Sequence, residues 1–221
     1  MPFAVETSTD EELLSQWKRG SPSAGNELFQ RHFEPIRRVF SNKTDGEVAE
    51  LVQTSFVRCL DAAERFAGRS SFRTFLFAIA NNVLREHYRA RLKGQRVGDL
   101  GERSIVDMGA GLSSVLHAKR EQQLLLRALR RIPLRDQVVL ELYYWEKLTA
   151  RHIGEIMDVP EDTVRSRIRN GKKRLRLAIA EVAEEPGVAE STANDLDGWA
   201  EQIRLDGVTE TLDEPTIKVT P

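Results

Sequence analysis

The sequence predicts an all-α protein of two helical domains joined by a flexible connector, and three observations lead there. Before residue 184 apolar side chains recur at three-and-four spacing almost throughout, and no convincing alternating strand run interrupts them. Residues 94–114 break that rhythm with Gly94, Gly98, Gly101, Gly109 and Gly111 among mixed charges, the composition of a linker. Residues 148–175, LTARHIGEIMDVPEDTVRSRIRNGKKRL, read as two short helices across a tight turn, the second loaded with Arg and Lys.

Taken in order, a first helix is expected over 10–18, capped by Thr9 or Ser8. A second starts at Ser21 with Pro22 in its first turn and offers Leu28, Phe29, Phe33, Ile36 and Phe40 for burial. Pro35 is expected to bend or break it. A third follows Thr44 or Asp45, ends near Phe66 and buries Val48, Leu51, Val52, Phe56 and Leu60. After a short turn, Phe72, Phe75, Leu76, Ile79, Ala80 and Val83 give the fourth helix a single buried stripe. Beyond the connector, 115–131 reads as a helix. Pro133 opens another, with Val138, Val139, Leu142 and Tyr143 inward. The expected domains are 10–93 and 115–183, with 94–114 between them and 184–221 as a mostly disordered acidic tail. Within that tail Leu196, Trp199 and Ile203 form a small apolar ridge.

Charge narrows the partners. The net charge is −1, but residues 184–221 hold ten acidic and two basic residues, which leaves the rest of the chain near +7. A basic body favours a polyanion, and binding through phosphates would be salt-sensitive. No apolar run approaches the ~20 residues of a membrane span, and the start, MPFAVETSTDEELL, is acidic where a signal peptide is basic and then apolar; a cytoplasmic protein is expected. Cys59, the only cysteine, falls in an apolar helical pattern and reads as core. His32, His87, His117 and His152 are scattered, and the glycines at 109–111 lack the strand and lysine of a phosphate loop. Nothing points to catalysis, a metal or a cofactor.

In the helix-turn-helix, Ile153, Gly154, Met157, Val159, Val164 and Ile168 supply the inward spacing, with Gly154 where the helices come closest. The outward face of the second helix presents Asp162 and Thr163 at its start, then Arg165, Ser166, Arg167, Arg169, Lys172, Lys173 and Arg174. Its first residues suit base edges in a major groove and its later cations suit phosphates.

Together, LVQTSFVRCLDAAERFAGRSSFRTFLFAIANNVLREHYRARLKG and ALRRIPLRDQVVLELYYWEKLTARHIGEIMDVPEDTVRSRIRNGKKRLRLAI resemble the two halves of a bacterial sigma factor of the extracytoplasmic-function group, over about residues 10–182. The resemblance implies an N-terminal domain that binds the clamp helices of core RNA polymerase and the melted minus-10 element. It implies a C-terminal domain that binds the polymerase flap and the duplex minus-35 element. By position, Glu47, Glu50, Leu51, Gln53 and Phe56 match the clamp-facing helix. Phe66 to Phe72, with Arg69, Ser70 and Ser71 between, match the loop that cups a flipped base. Asn82 matches the floor of that pocket, with Arg73 and Arg85 on the strand's path. Neighbouring Asn81 is distinguished from Asn82 only by register.

Two departures matter. Ala49 stands where the clamp helix commonly has an acid, and Thr54 and Ser55 follow Gln53 where another acid is frequent. A Ser/Thr kinase acting on Thr54 would restore about −1.5 to −2 charges there; that kinase and an anti-sigma factor are the additional partners considered. Two other functions stay open at this point: a conventional helix-turn-helix regulator that binds duplex DNA without polymerase, and a polymerase-binding adaptor whose acidic tail mimics nucleic acid. The segment FAGRSSF followed by Asn82 has no evident use in a duplex-only regulator.

Overall fold

A computed structural model describes residues 8–93, 99–109 and 120–183, together with Gly198. Among these residues there are eight α-helices and no strand, with a single isolated bridge between Ser104 and Pro133. Apart from Gly198, the tail and its Trp199 ridge lie outside the described residues.

Helix α1, Asp10–Lys18, starts where expected. The Thr9 hydroxyl accepts from the Glu12 N–H at 3.2 Å, and the Glu12 carboxylate accepts from the Thr9 N–H at 2.8 Å, a reciprocal capping box. Ser21 caps α2, Pro22–Ser41. This helix continues through Pro35 without a break. An interior proline costs about 3 kcal/mol, but Ile36 and Phe40 beyond it are fully buried, and each such side chain returns about 1.5–3 kcal/mol. Just past the end of α2, the Thr44 hydroxyl donates back to the Phe40 carbonyl at 3.2 Å. The chain then turns at Gly46, with φ 86°, and α3 covers Val48–Ala63.

Ser71 caps α4, Phe72–Arg91, by accepting from the Thr74 N–H at 3.1 Å. A single buried stripe was expected, but Phe77, Leu84 and Tyr88 are buried as well. The reason is tertiary: α4 packs against α1, α2 and α3 and also against α7 of the C-terminal half.

The C-terminal half comprises α5 (Arg120–Leu129), α6 (Leu134–Tyr144), α7 (Ala150–Met157) and α8 (Glu161–Val182). Helix α6 is enclosed on nearly all sides, its Asp136, Gln137 and Glu141 included. Tyr143, expected inward, is 39% exposed, and the adjacent Tyr144 and Trp145 fill the core instead. Leu125, Leu129, Leu140, Tyr144, Leu175 and Ile179 form a core belonging to this half alone.

The centre of the connector is packed. Leu100–Glu102 form a 3-10 turn, the Leu134 N–H donates to the Arg103 carbonyl at 2.8 Å, and Val106 N–H donates to the Arg130 carbonyl at 3.2 Å. Leu100, Ile105 and Met108 are buried in a second, larger core shared by both halves, which also holds Phe56, Leu76 and Tyr88 from one side and Val138, Leu142 and Ile153 from the other. Three apolar residues among glycines are too few to register as a periodic element, so the sequence shows only the linker composition. No helix among the described residues is long and apolar enough to cross a membrane.

Candidate nucleic-acid interface

The helix-turn-helix is built around one close approach. Thr149 caps α7 by accepting from the His152 N–H at 3.3 Å, and Asp158 ends it in the left-handed conformation at φ 54°. The Val159 N–H then donates to the Gly154 carbonyl at 3.0 Å. A Cβ on Gly154 would lie 2.7 Å from the Val159 carbonyl oxygen, so this glycine is required by the turn more than by the facing helix. Ile153, Ile156 and Val164 are buried beneath, with Met157 and Ile168 partly so. Ile156 is the inward residue that the sequence reading omitted.

On the opposite side of α8, Asp162, Arg165, Arg169 and Lys173 are exposed and Thr163, Ser166, Arg167 and Lys172 are half-buried. Arg165 is held by Glu161 one turn back, while Lys172 sits 5.0 Å from the Tyr144 ring centroid and Arg174 pairs with buried Asp136. An open depression of about 480 Å³ is lined by Arg135, Asp162, Thr163, Ser166, Arg167 and Asn170 among others. Arg135 joins this face only through the fold, since it comes from α6, whereas Asn170 is an amide among the cations of α8 itself. Burial and the Arg135 guanidinium lower the pKa of Arg167, while Asp136, Asp99 and Glu102 pull the other way; an arginine in that setting remains cationic.

A second polar face lies on the N-terminal half. In the turn before α4, Gly68 takes φ 68°, and Arg69, Ser70 and Ser71 are exposed or half-exposed. Phe66 packs on Phe75 at 4.5 Å between centroids, with Lys18 Nζ 5.7 Å from its centroid and bonded to its carbonyl at 2.8 Å. Asn82 is exposed and Asn81 is buried. Phe75, Asn82, Arg85 and Arg89 follow one another along one side of α4, at about 1.5 Å rise per residue. Phe72, however, is 1% exposed and packs at 5.6 Å on His32, so it belongs to the core and offers no stacking surface. Arg73 is engaged by Glu146 at 2.8 Å.

The third face is the outer side of α3. Glu50 and Gln53 are exposed there, Thr54 is half-exposed, and Glu47 is the half-buried residue preceding the helix. Leu51 and Phe56 are buried at 8% and 2% exposure; they hold α3 to the core and cannot supply apolar area outward. Val57, 47% exposed one turn beyond Gln53, is the apolar side chain that this face does present, and the sequence reading missed it because Val57 fits neither face of the pattern cleanly.

These faces coincide with known protein regions. The family described as Sigma-70 region 2 matches residues 28–93, and that described as Sigma-70, region 4 matches residues 122–175, together more than half of the chain. The chain is an extracytoplasmic-function sigma factor. ECF RNA polymerase sigma-E factors from Salmonella typhimurium and from Escherichia coli K12 are each 26% identical to it over 179 residues, covering 77% of this chain and 94% of theirs. The sigma-E factor of Haemophilus influenzae is 26% identical over 184 residues, covering 79% of this chain and 97% of its own. The fold resembles that in a structure of CnrH in complex with the cytosolic domain of CnrY, with a TM-score of 0.52 at 19% identity, over 79% of this chain and 99% of that one. This sigma factor therefore works with core RNA polymerase and promoter DNA in transcription initiation, and the family is not a class of enzymes. Its region 2 match holds the Phe66, Asn82 and Gln53 faces, and its region 4 match holds the helix-turn-helix.

Proposed function

We propose that the three faces divide the work of initiation. The outer side of α3, through Glu50, Gln53 and Val57, engages the clamp helices of core polymerase, with polar groups around one apolar contact. The loop of Arg69, Ser70 and Ser71, the half-buried Phe66 ring, and Asn82 capture a base flipped from the melted minus-10 strand, whose backbone continues along Arg85 and Arg89. Helix α8 enters the minus-35 major groove: Asp162, Thr163, Arg165, Ser166 and Arg169 face base edges, and Arg167, Lys172 and Lys173 face phosphates. The C-terminal domain docks on the polymerase flap. Binding of the flipped base and of the upstream duplex together offsets the cost of opening, while the polymerase carries out the chemistry in the cytoplasm.

The observation that carries this reading is the exposure of Asn82, beside buried Asn81, along the side of α4 that starts at the Phe66–Phe75 pair. Run-off transcription and forked-template binding with purified core polymerase test it. Asn82→Ala is expected to impair promoter opening and leave minus-35 duplex binding intact, and equal losses in both would refute the pocket.

Thr54 lies half-exposed on the α3 face beside Gln53, which supports a Ser/Thr kinase as a regulator that adds the charge this face lacks. An anti-sigma factor is the other protein partner we propose, as CnrH is found in complex with the cytosolic domain of CnrY.

A further inference from the structure

We infer that the acidic tail docks in cis on an exposed stripe of α8 through its apolar ridge of Leu196, Trp199 and Ile203, and that the docked tail competes with duplex DNA for the cations of that stripe. Arg169, Lys173, Arg176, Leu177 and Ala180 are all exposed, and they recur at the spacing that sets residues on one side of a helix. Leu177 is 66% exposed, more than any other large apolar side chain among the described residues. Its neighbours Leu175, Ala178 and Ile179 are buried and hold α8 to its domain, so the core makes no use of Leu177. Other cations of the helix are engaged: Arg165 with Glu161, Arg174 with Asp136, and Lys172 over the Tyr144 ring. Arg169, Lys173 and Arg176 make no ion pair among the described residues.

A duplex would use these cations and leave Leu177 in water, because a phosphate backbone offers no apolar surface. An acidic segment with an apolar ridge uses both, and this chain contains one. Residues 184–221 carry ten acidic and two basic residues, and Asp195, Asp197 and Glu201 lie among Leu196, Trp199 and Ile203. Trp199 can therefore meet Leu177 while the carboxylates meet the cations beside it. Gly198, at the centre of that segment, is helical and half-buried. Connectivity permits the contact. Helix α8 ends at Val182, and the chain between Ala183 and Leu196 can span about 40 Å. Leu177 lies only about 9 Å back along the helix from its end, and Arg169 about 20 Å back.

Such a contact is loose, which suits a competitor. Exposed ion pairs contribute little each and are screened by salt. Tethering compensates: an effective concentration on the order of 1 mM keeps a site with a docking constant on the order of 0.1 mM mostly filled. Duplex DNA, with one charge per ~1.7 Å of axis, displaces the tail when the base-reading residues of α8 are satisfied as well. A duplex that offers phosphate contacts alone gains less and competes poorly, so the tail sharpens discrimination between a promoter and other DNA. This consequence rests on the duplex assignment of α8 above, whereas the docking itself does not.

The test uses the full chain. A paramagnetic label on T209C, beyond the ridge, should broaden the amide signals of α8 around Leu177, and buried Cys59 stays unlabelled. W199A and L177Q should each abolish that broadening, and each should raise affinity for a duplex pool of random sequence about tenfold at low salt. The gain should shrink as salt rises. Both variants release one contact, so the double variant should gain no more than either single one; a misfolded variant would bind the duplex less tightly. Broadening that persists in W199A, or gains that add in the double variant, overturn the docking. Broadening that grows with protein concentration puts the tail on a second copy and overturns the cis contact. An L177Q protein that loses core polymerase in a pull-down while the broadening is unchanged gives Leu177 to the polymerase and overturns the tail's site. If Arg165→Ala weakens duplex binding while W199A leaves it unchanged, the competition is overturned. If the broadening is lost as expected but neither W199A nor Arg165→Ala changes duplex affinity, the duplex assignment of α8 fails and the docking stands.

Discussion

Gly154→Ala isolates the contact on which the DNA-reading geometry depends. The added methyl would lie 2.7 Å from the Val159 carbonyl oxygen, about 0.6 Å inside the ~3.3 Å at which carbon and oxygen ordinarily meet. The obstacle is backbone, and that backbone is fixed because Val159 and Asp158 both donate to the Gly154 carbonyl. Overpacking of this kind costs about 1–3 kcal/mol, while alanine returns up to about 1 kcal/mol of helix propensity over glycine. The net loss should be about 1–2 kcal/mol, a fall in Tm of about 2–8 °C for a chain of this size. Because relief requires the turn to move away from α7, α8 shifts with it and minus-35 duplex affinity should fall too. Gly171→Ala is the internal control: its Cβ meets Leu140 Cδ1 at 3.3 Å and Asp136 Cβ at 3.4 Å, and a leucine tip can yield. That variant should be neutral or slightly more stable. Calorimetry and duplex titration measure both effects, and a Gly154→Ala protein as stable and as tight-binding as wild type, or one less damaged than Gly171→Ala, would refute the reasoning.

On α3, Phe56→Ala should cost about 3–5 kcal/mol of stability, whereas Val57→Ala should leave unfolding unchanged and weaken core-polymerase binding; a denaturation series with a pull-down separates the two. Arg165→Ala, at an exposed position, should weaken minus-35 duplex binding and its salt dependence while polymerase still co-purifies; lost polymerase binding would remove Arg165 from the DNA face. Burial holds the His32 imidazole pKa below its ordinary value despite its 2.6 Å contact with Asp10. The unfolded chain therefore takes up the proton first, so this contribution to stability is complete above about pH 6.5 and declines as pH falls through the lower folded value. Urea midpoints from pH 7.5 to 5.5 should show that slope in the wild type and a shallower one in His32→Gln. Thr54→Glu should strengthen polymerase binding if charge is what the α3 face lacks, and an unchanged affinity would count against regulation by phosphorylation there.

What could be read directly from the chain was local. The caps Thr9 and Ser21, the three-and-four apolar spacing and the Gly154 turn each depend on residues within a few positions of one another, and each appears where the pattern placed it. The register of Asn82 against Asn81 likewise follows from helical periodicity. Burial was where the pattern misled. Leu51, Phe56 and Phe72 matched a binding face by position but are core, since a motif identifies a residue without saying which side of its helix the neighbours cover. Phe77 and Leu84 looked redundant because the helix that covers α4 from the far side, α7, is encoded more than sixty residues later.

The sequence by itself determined that the chain is helical and where the Thr9, Ser21 and Gly154 boundaries fall, because hydrogen bonding and apolar spacing along one helix are short-range. The tertiary structure decided that Lys43 meets Glu141, that Glu146 takes both Arg38 and Arg73, and that Leu100, Ile105 and Met108 fill a seam. Those partners lie far apart along the chain, and whether a charge is solvated or paired depends on which surfaces exclude water around it, a property of the packed fold and not of any local stretch of residues.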